Sequence, residues 1–228
     1  MQYKFFITGT DTGVGKTVVS TALLAAANKL GLTTAAIKPV AAGCHQTIDG
    51  LRNDDALALQ AMISQHLNYK QVNPIALEPA IAPHIALQQS NQTATIEQLA
   101  THCRTVLAMA AKCTIIEGAG GWRVPLNDTE TLADLPKAMK LPTILVVGMR
   151  LGCLNHALLT AESIRQDGVE FIGWVANQIE PEMEAYKENI ASLKQRLSVP
   201  CIGEIPFMPE PSSLDVARYL DIDCILSI

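Results

Sequence analysis

The 228-residue sequence lacks several patterns that would place it in other classes of protein. It has no cluster of Lys and Arg, and its formal net charge of -5 is spread over both halves, which argues against sequence-independent binding to nucleic acid or an anionic membrane surface. No apolar run approaches the roughly 18 residues of a membrane-spanning helix, and the N-terminus lacks the basic, apolar and small-residue segments of a leader. We therefore expect a cytoplasmic protein without nucleic-acid or membrane partners.

Closely spaced cysteines are also lacking. The six cysteines form no C-x-x-C pair, so the sequence predicts neither a zinc site nor a disulfide framework. We expect buried free thiols at Cys44, Cys103, Cys113, Cys153, Cys201 and Cys224.

What is present is an alternation of short β-branched runs with longer helical patterns. With 49% apolar residues the chain can bury one substantial core, so we expect residues 1–228 to form a single domain. The alternation predicts an α/β fold with a mostly parallel central sheet and helices on both faces. The predicted strands are residues 3–8, 35–39, 113–117, 143–148, 171–176 and 201–205.

Apolar residues recur at helical spacing between the strands. This spacing predicts helices over residues 18–30, 54–65, 97–111, 154–164 and 183–197. The run 143–147 is continuously apolar, which predicts a strand covered on both sides in the middle of the sheet. Pro74, Pro79 and Pro83 predict an irregular loop.

Residues 9–17, Gly-Thr-Asp-Thr-Gly-Val-Gly-Lys-Thr, lie between the first predicted strand and helix, where a phosphate-binding loop belongs. In such a loop, backbone N–H groups and the helix N-terminus attract phosphate oxygens, Lys16 neutralises transferring charge and Thr17 can hold Mg²⁺. Thr10 replaces the first glycine of the pattern G-x-x-x-x-G-K-[ST], and a glycine-rich turn without a ligand is the alternative. Because strand and helix fall where required, the sequence predicts a P-loop NTPase-like fold and a nucleotide ligand.

Polar residues also follow the second predicted strand. Ligands of such sheets bind beyond the carboxyl ends of the strands. Lys38 ends a strand directly before Pro39 and is either a cation for an anionic substrate or a solvated surface lysine. Asp54 and Asp55 begin a helical pattern, where they either cap the helix or serve a bound metal.

Glu117 precedes Gly118-Ala119-Gly120-Gly121, so its carboxylate emerges beside a flexible, amide-rich turn. Mg²⁺ prefers oxygen ligands and keeps several waters, so Thr17, Asp55, Glu117 and phosphate oxygens would suffice to bind it. The alternative is a surface glutamate after a buried strand.

Asn177 follows the fifth predicted strand and either presents its amide to a purine edge or forms a turn. The sequence contains no Asn-Lys-x-Asp to read guanine, which favours adenine.

His84 and His156 have no nucleophile pattern nearby, so we expect structural histidines. Phosphoryl transfer depends mainly on positioning and charge stabilisation, which suits a site of amides, lysines and metal.

Four segments, together with the loop, carry a resemblance to a known family: Lys38-Pro39-Val40-Ala41, Glu117-Gly118-Ala119-Gly120-Gly121, residues 151–156 and Val175-Ala176-Asn177. In this order they resemble the dethiobiotin synthases of the biotin pathway over nearly the whole chain, and residues 50–57 and 203–206 strengthen the resemblance. It implies an ATP-dependent cyclo-ligase that closes diaminopelargonic acid with CO₂ into the cyclic urea of dethiobiotin, releasing ADP and phosphate.

The resemblance also implies residue roles and a homodimer with composite active sites. Thr12, Lys16 and Lys38 would surround the carbamate formed from one amine, and Mg²⁺ would bind Thr17, Asp55 and Glu117. The implied ATP-binding residues are Gly13, Val14, Gly15, Lys16, Thr17, Val18, Asp55, Glu117, Gly118, Ala119, Gly120, Asn177, Gln178, Pro206, Phe207 and Met208. The implied substrate-binding residues are Thr12, Lys38, Ala42 and Gly118, with Gly152, Cys153, Leu154 and Asn155 supplied by the partner subunit.

Two positions depart from the family pattern. Residue 13 is glycine where some relatives carry glutamate, and residue 42 is alanine where a serine hydroxyl can contact the substrate. One neutral hydrogen bond contributes about 0.5–1.5 kcal/mol, so we expect Ala42 to weaken substrate binding without abolishing turnover.

Two other functions use the same loop. A switch ATPase that positions macromolecules would need a partner surface or a membrane-seeking helix, and neither end of the sequence has a basic amphipathic segment. A different amidating or carboxylating ligase remains open, because substrate choice depends on the shape of the pocket.

Overall fold

A computed structural model describes residues 2–227 of the chain. Its strands are β1 (Tyr3–Gly9), β2 (Thr34–Ile37), β3 (Val40–Ala42), β4 (His45–Thr47), β5 (Gly50–Arg52), β6 (Ile75–Leu77), β7 (Cys113–Glu117), β8 (Thr143–Met149), β9 (Phe171–Gln178) and β10 (Cys201–Ile205). Its helices are α1 (Lys16–Lys29), α2 (Asp54–Met62), α3 (Tyr69–Val72), α4 (Pro83–Gln89), α5 (Ile96–Leu107), α6 (Asp134–Met139), α7 (Cys153–Gln166), α8 (Tyr186–Arg196), α9 (Ser213–Ala217) and α10 (Asp223–Leu226).

Six strands form the central sheet in the order β10-β9-β8-β1-β7-β2, and every pairing within it is parallel. The helices pack around this sheet, and the predicted P-loop NTPase-like α/β fold is confirmed. Because all six strands run the same way, the residues that follow β1, β2, β7, β9 and β10 gather at one edge.

Strand β8 lies inside the sheet, between β9 and β1. All seven of its residues are buried, as the continuous apolar run of residues 143–147 predicts for a strand covered on both faces. A core of apolar side chains extends along the described chain from Phe5 to Ile225.

The predicted irregular loop around Pro74, Pro79 and Pro83 is wrong in part. Strand β6 lies within it and pairs in parallel with β3, and Pro83 is the first residue of α4. Proline is well tolerated there, because the first N–H groups of a helix have no partner within the helix. Pro83 thus marks the start of helix α4 and not an irregular loop.

The six cysteines are free thiols, as expected, but only four of them are buried. Cys44, Cys103, Cys113 and Cys153 are buried free thiols, whereas Cys201 and Cys224 are half-buried. Burial raises the pKa of Cys103 and of Cys113 to about 12, which makes these thiols unreactive at neutral pH. Within residues 2–227, no helix combines the length and the apolarity that crossing a membrane requires.

Candidate active site

The phosphate-binding loop connects β1 to α1, which begins at Lys16, two residues earlier than predicted. Gly15 directly precedes the helix with φ at 88°, in the left-handed region that glycine adopts without strain. A Cβ atom at this position would also collide with the side chain of Asn177. The loop conformation therefore requires glycine at residue 15.

Lys16 bridges this loop and the glycine-rich turn that follows β7. Its side chain is almost buried, and its Nζ donates to the backbone oxygens of Asp11 at 3.0 Å and Gly120 at 2.6 Å. Burial, aided by the nearby charge of Lys38, lowers the pKa of Lys16 to about 8. Lys16 therefore loses its proton more readily than an ordinary lysine.

Lys38 lies directly after β2 and is only 3% exposed, so the alternative of a solvated surface lysine is wrong. Its Nζ donates to Glu117 Oε1 at 2.6 Å, to Asp55 Oδ2 at 2.9 Å and to the Gly118 backbone oxygen at 3.2 Å. Burial opposes the charge, but the two carboxylates outweigh burial and hold the pKa of Lys38 above its ordinary value. The ammonium therefore stays charged and pairs with both acids.

Glu117, the last residue of β7, is fully buried, which rules out the surface-glutamate alternative. Its Oε1 accepts hydrogen bonds from both Lys38 and the Thr17 hydroxyl, the latter at 2.8 Å. Its Oε2 is buried and has no hydrogen-bond partner among residues 2–227. A buried carboxylate oxygen without a donor is costly, so this atom is suited to receive a cation.

The two aspartates at the start of α2 have different surroundings. Neither caps the helix, because Asn53 does so through its Oδ1, which accepts the Ala56 N–H at 3.3 Å. The Asp54 side chain is 91% exposed, whereas Asp55 contacts Lys38. Although burial acts to raise the pKa of Asp55, Lys38 and Thr17 outweigh it and lower that pKa below its ordinary value. Asp55 therefore joins the carboxylate cluster.

Asn177 lies within β9, so the alternative of a turn-forming asparagine is wrong. Its side-chain Nδ2 donates to the Val14 backbone oxygen in the phosphate-binding loop at 2.9 Å. It pairs in register with Ile205, so Pro206, Phe207 and Met208 follow at its side. The neighbouring Gln178 donates its side-chain amide to the backbone oxygens of Glu180 and Pro181.

The remaining predicted residues differ in their exposure to solvent. Thr12 is exposed in the loop, and Ala42 is half-buried at the end of β3. The segment from Gly152 to Asn155 begins α7, where only Cys153 and Leu154 are shielded from solvent. His84 is half-buried in α4 and His156 is exposed in α7, away from the lysine and carboxylate contacts.

Several residues at this edge were missed by the sequence analysis. Arg150, directly after β8, pairs through its Nη2 with Asp11 Oδ2 of the phosphate-binding loop at 2.6 Å. The rule that polar residues after parallel strands face the site would have found Arg150, but it was applied to other strands. The hydrogen-bond partners Asn53, Tyr69 and Asn73 carried no such signal, because Asn53 precedes helix α2, Tyr69 begins helix α3 and Asn73 follows it, so none comes after a strand of the central sheet.

The chain is also similar to known proteins in sequence and in fold. A family model described as an AAA domain matches residues 3–213. The ATP-dependent dethiobiotin synthetase BioD of Cellvibrio japonicus is 55% identical over 97% of this chain and 97% of its own. The protein of the same name from Pseudomonas aeruginosa is 51% identical over 96% of each chain.

The chain is also similar in fold to proteins of much lower sequence identity. A chain of the MinC:MinD cell division protein complex of Aquifex aeolicus superposes with a TM-score of 0.61 at 17% identity, over 99% of this chain and 95% of that one. At such identity the likeness concerns the fold alone. The near-full-length identity to the curated relatives is far higher, and on that basis the chain belongs to the family of ATP-dependent dethiobiotin synthetases.

Proposed function

We propose that this chain uses ATP and Mg²⁺ to close 7,8-diaminopelargonic acid with CO₂ into dethiobiotin, releasing ADP and phosphate. The observation that carries the proposal is the cluster in which the buried Lys38 joins the buried Glu117 and the half-exposed Asp55, next to Lys16 of the phosphate-binding loop. The two ammonium groups bind backbone oxygens two residues apart in the same turn, Gly118 and Gly120. Two cations at one sheet edge suit a reaction between a triphosphate and a second anion.

The proposed chemistry has three steps. One amine of the substrate takes up CO₂ as a carbamate, whose negative charge Lys16, Lys38 and Thr12 would surround. The carbamate oxygen attacks the γ-phosphorus of ATP, so that ADP leaves and a carbamic-phosphoric mixed anhydride forms. The second amine then attacks the carbonyl carbon, and phosphate leaves as the urea ring closes. Fixed positive charge is most effective at the stage where negative charge develops.

The residues present fit a magnesium ion. The buried, unpartnered Glu117 Oε2 needs a positive partner, and the hydroxyl of Thr17 and the carboxylate of Asp55 lie in the same cluster. No group of three or more His, Cys, Asp or Glu suited to a metal occurs in the part of the chain that the structure describes. We propose Thr17, Asp55 and Glu117 as ligands because these side chains lie together, and phosphate oxygens and water would supply the other ligands of the octahedron that Mg²⁺ prefers. The bound ion would neutralise charge on the phosphoryl group.

We propose that ATP binds from the loop toward β10. Residues 13–18 would hold the phosphates together with the turn Gly118, Ala119 and Gly120. Asn177, Gln178, Pro206, Phe207 and Met208 would surround adenine, which is supported by the pairing of Asn177 with Ile205. The contact between Asn177 and Val14 supports one continuous nucleotide site.

We further propose a homodimer in which Gly152, Cys153, Leu154 and Asn155 bind the substrate carboxylate of the partner's site. The exposure of Gly152 and Asn155, and of Leu151, which is 98% exposed, supports such a contact between subunits. Ala42 and Gly118 would contact the diamine within one subunit. We also propose that the chain is a single domain and acts in the cytoplasm.

Product identification tests the function. We expect ATP hydrolysis to require both diaminopelargonic acid and bicarbonate, and mass spectrometry to find the cyclic urea. Rapid hydrolysis without the diamine would instead favour a switch ATPase, and hydrolysis with another diamine or amino acid would favour a different ligase.

A further inference from the structure

The hydroxyl of Tyr69 lies between Asn53, which precedes Asp55 in the chain, and Asn73, which hydrogen-bonds the backbone of Lys38. It accepts a hydrogen bond from the Asn53 N–H at 2.8 Å and donates one to Asn73 Oδ1 at 3.0 Å. Asn53 begins α2, and Asn73 follows α3. One oxygen atom thus connects two segments that are separate along the chain.

Asn73 holds the backbone of Lys38. Its side chain is buried, and its Nδ2 donates to the Lys38 backbone oxygen at 2.7 Å and to that of Ile75 at 3.0 Å. The Lys38 N–H donates to the Val72 oxygen at 2.7 Å. Both polar groups of the Lys38 main chain are therefore fixed by the segment that begins at Tyr69.

Asn53 holds the turn that presents Asp55. Its Oδ1 caps α2 through the Ala56 N–H, and its Nδ2 donates to the Ala42 oxygen at 3.3 Å. Because Asp55 lies in the first turn of α2, the position of Asn53 sets the position of that carboxylate. Asn53 is also buried, so its N–H depends on the Tyr69 hydroxyl for a partner.

Tyr69 is itself held firmly. Helix α3 begins with a capping box formed by Asn68 and Gln71, and the Arg52 guanidinium lies 4.2 Å from the centre of the Tyr69 ring. Burial raises the pKa of Tyr69, so its hydroxyl remains a donor at neutral pH. Because the helix cap holds the Tyr69 backbone and Arg52 packs on its ring, the Tyr69 hydroxyl can fix the distance between Asn53 and Asn73.

We propose that Tyr69 is a positioning residue for the metal and carboxylate site. Through Asn53 and Asn73, its hydroxyl sets Asp55 and Lys38 at the separation in which the two groups meet. This inference rests on the proposed role of Asp55 in binding Mg²⁺, and it concerns a residue outside the sets proposed to bind ATP and substrate.

The test is the effect of Tyr69→Phe on how Mg²⁺ strengthens nucleotide binding, measured by calorimetry with a non-hydrolysable ATP analogue. Loss of an interaction that orients a metal ligand typically costs 10- to 100-fold in metal affinity or activity, so we expect Mg²⁺-dependent tightening to fall by about tenfold and kcat by a similar factor. Affinity for the analogue in EDTA should change less than about twofold, because the loop still holds the phosphates.

Two controls separate positioning from stability. Tyr3→Phe removes the same hydroxyl at the opposite end of the sheet and should leave both affinities unchanged. In an Asp55→Asn background, Tyr69→Phe should have no further effect on Mg²⁺-dependent tightening, because it acts through Asp55. A lowered melting temperature with normal tightening, or an undiminished effect in that background, would overturn the proposal.

A second variant tests the proposal in case Tyr69→Phe folds poorly. In Asn73→Ser the serine side chain is too short to contact both the Tyr69 hydroxyl and the Lys38 backbone oxygen, so we expect kcat to fall. An unchanged kcat would contradict the proposal. If the wild-type chain makes no cyclic urea, the proposed function fails, whereas the binding measurements still decide the role of Tyr69.

Discussion

At the scale of single residues, the central feature is the buried ion pair of Lys38 and Glu117, which the half-exposed carboxylate of Asp55 joins from the side of the solvent. The side chains of Lys38 and Glu117 are 4% and 0% exposed, so each depends on the other for compensation of its charge. A buried pair of this kind adds little net stability over an apolar pair, but removing one partner leaves an uncompensated charge. The cluster is therefore better explained by function than by stability.

Lys38→Gln should separate nucleotide binding from turnover. We expect it to retain ATP binding and lose most turnover, and to lower the free energy of unfolding by about 3–5 kcal/mol, because Glu117 is left without its main cation. Urea denaturation of the metal-free protein measures the stability, and product formation measures the turnover.

Glu117→Gln supplies the matched comparison for Lys38→Gln. The double variant should lose less stability than the sum of the two single losses, because a neutral pair needs no counter-charge. Strictly additive losses would show that the two side chains are not coupled.

Lys16 should take up a proton when ATP binds. Its pKa of about 8 in the free protein leaves it largely neutral above that pH, and the triphosphate will raise this pKa. Calorimetry in buffers of different ionisation enthalpy should therefore detect proton uptake at about pH 8.5 and much less at about pH 7.

Lys16→Arg is the control for proton uptake, because arginine stays charged at both pH values. Uptake of similar size in this variant would assign the proton to another group.

At the scale of elements, the N-terminus of α2 connects helix stability to the site. Asn53→Ala removes the side-chain cap, which should cost about 1 kcal/mol, and it loosens the turn that carries Asp55. We expect lower stability together with a higher Mg²⁺ requirement, measured by denaturation and by a Mg²⁺ titration of activity.

Ser212→Ala is a matched control, because Ser212 caps α9 through the Asp215 N–H. It should lower stability by a similar amount without changing the Mg²⁺ requirement. Equal metal requirements in the two variants would contradict a link between the α2 cap and Asp55.

The sequence predicted the long elements well. The bounds of β7 and β10 agree at both ends with the predicted residues 113–117 and 201–205, because turn residues or proline flank these apolar runs. Strand β6 was not predicted, because its three residues are too few for periodicity and its partner β3 is distant along the chain. Helix α2 ends at Met62, before the predicted residue 65, since Ile63 is extended.

The site was predictable where residues follow strands. Glu117 ends a strand of the parallel sheet, Lys38 follows one and Asn177 is the second-last residue of one, so a rule about strand ends places them at the same edge. That Lys38 binds both acids depends on α2 packing beside β2, which local pattern does not encode. The hydrogen bonds of Tyr69 depend on the same packing, so no motif indicated that residue.

At the scale of the whole molecule, the exposed apolar residues near the start of α7 bear on assembly. Leu151 is 98% and Leu159 57% exposed. Leu151→Asp should weaken the proposed dimer and lower activity, because charge is depleted at the core of subunit interfaces. Analytical ultracentrifugation measures the association, and Leu214→Asp, at an exposed leucine in α9, should change neither.

A monomeric wild-type chain with full activity would contradict the composite site. Rescue of Leu151→Asp activity at high protein concentration would support it, since mass action restores a weakened dimer.

The hydrogen bond from Asn177 to the Val14 backbone oxygen connects the proposed base-binding residue with the phosphate-binding loop. The amide that we propose to meet the base also fixes the main chain of the phosphate loop, just before the glycine that opens α1. A substitution of Asn177 that is meant to change the bound nucleobase would therefore also weaken binding of the phosphates of any nucleoside triphosphate. Redesign of base preference is better begun at Phe207 or Met208, where the chain is irregular and no such bond has to be broken.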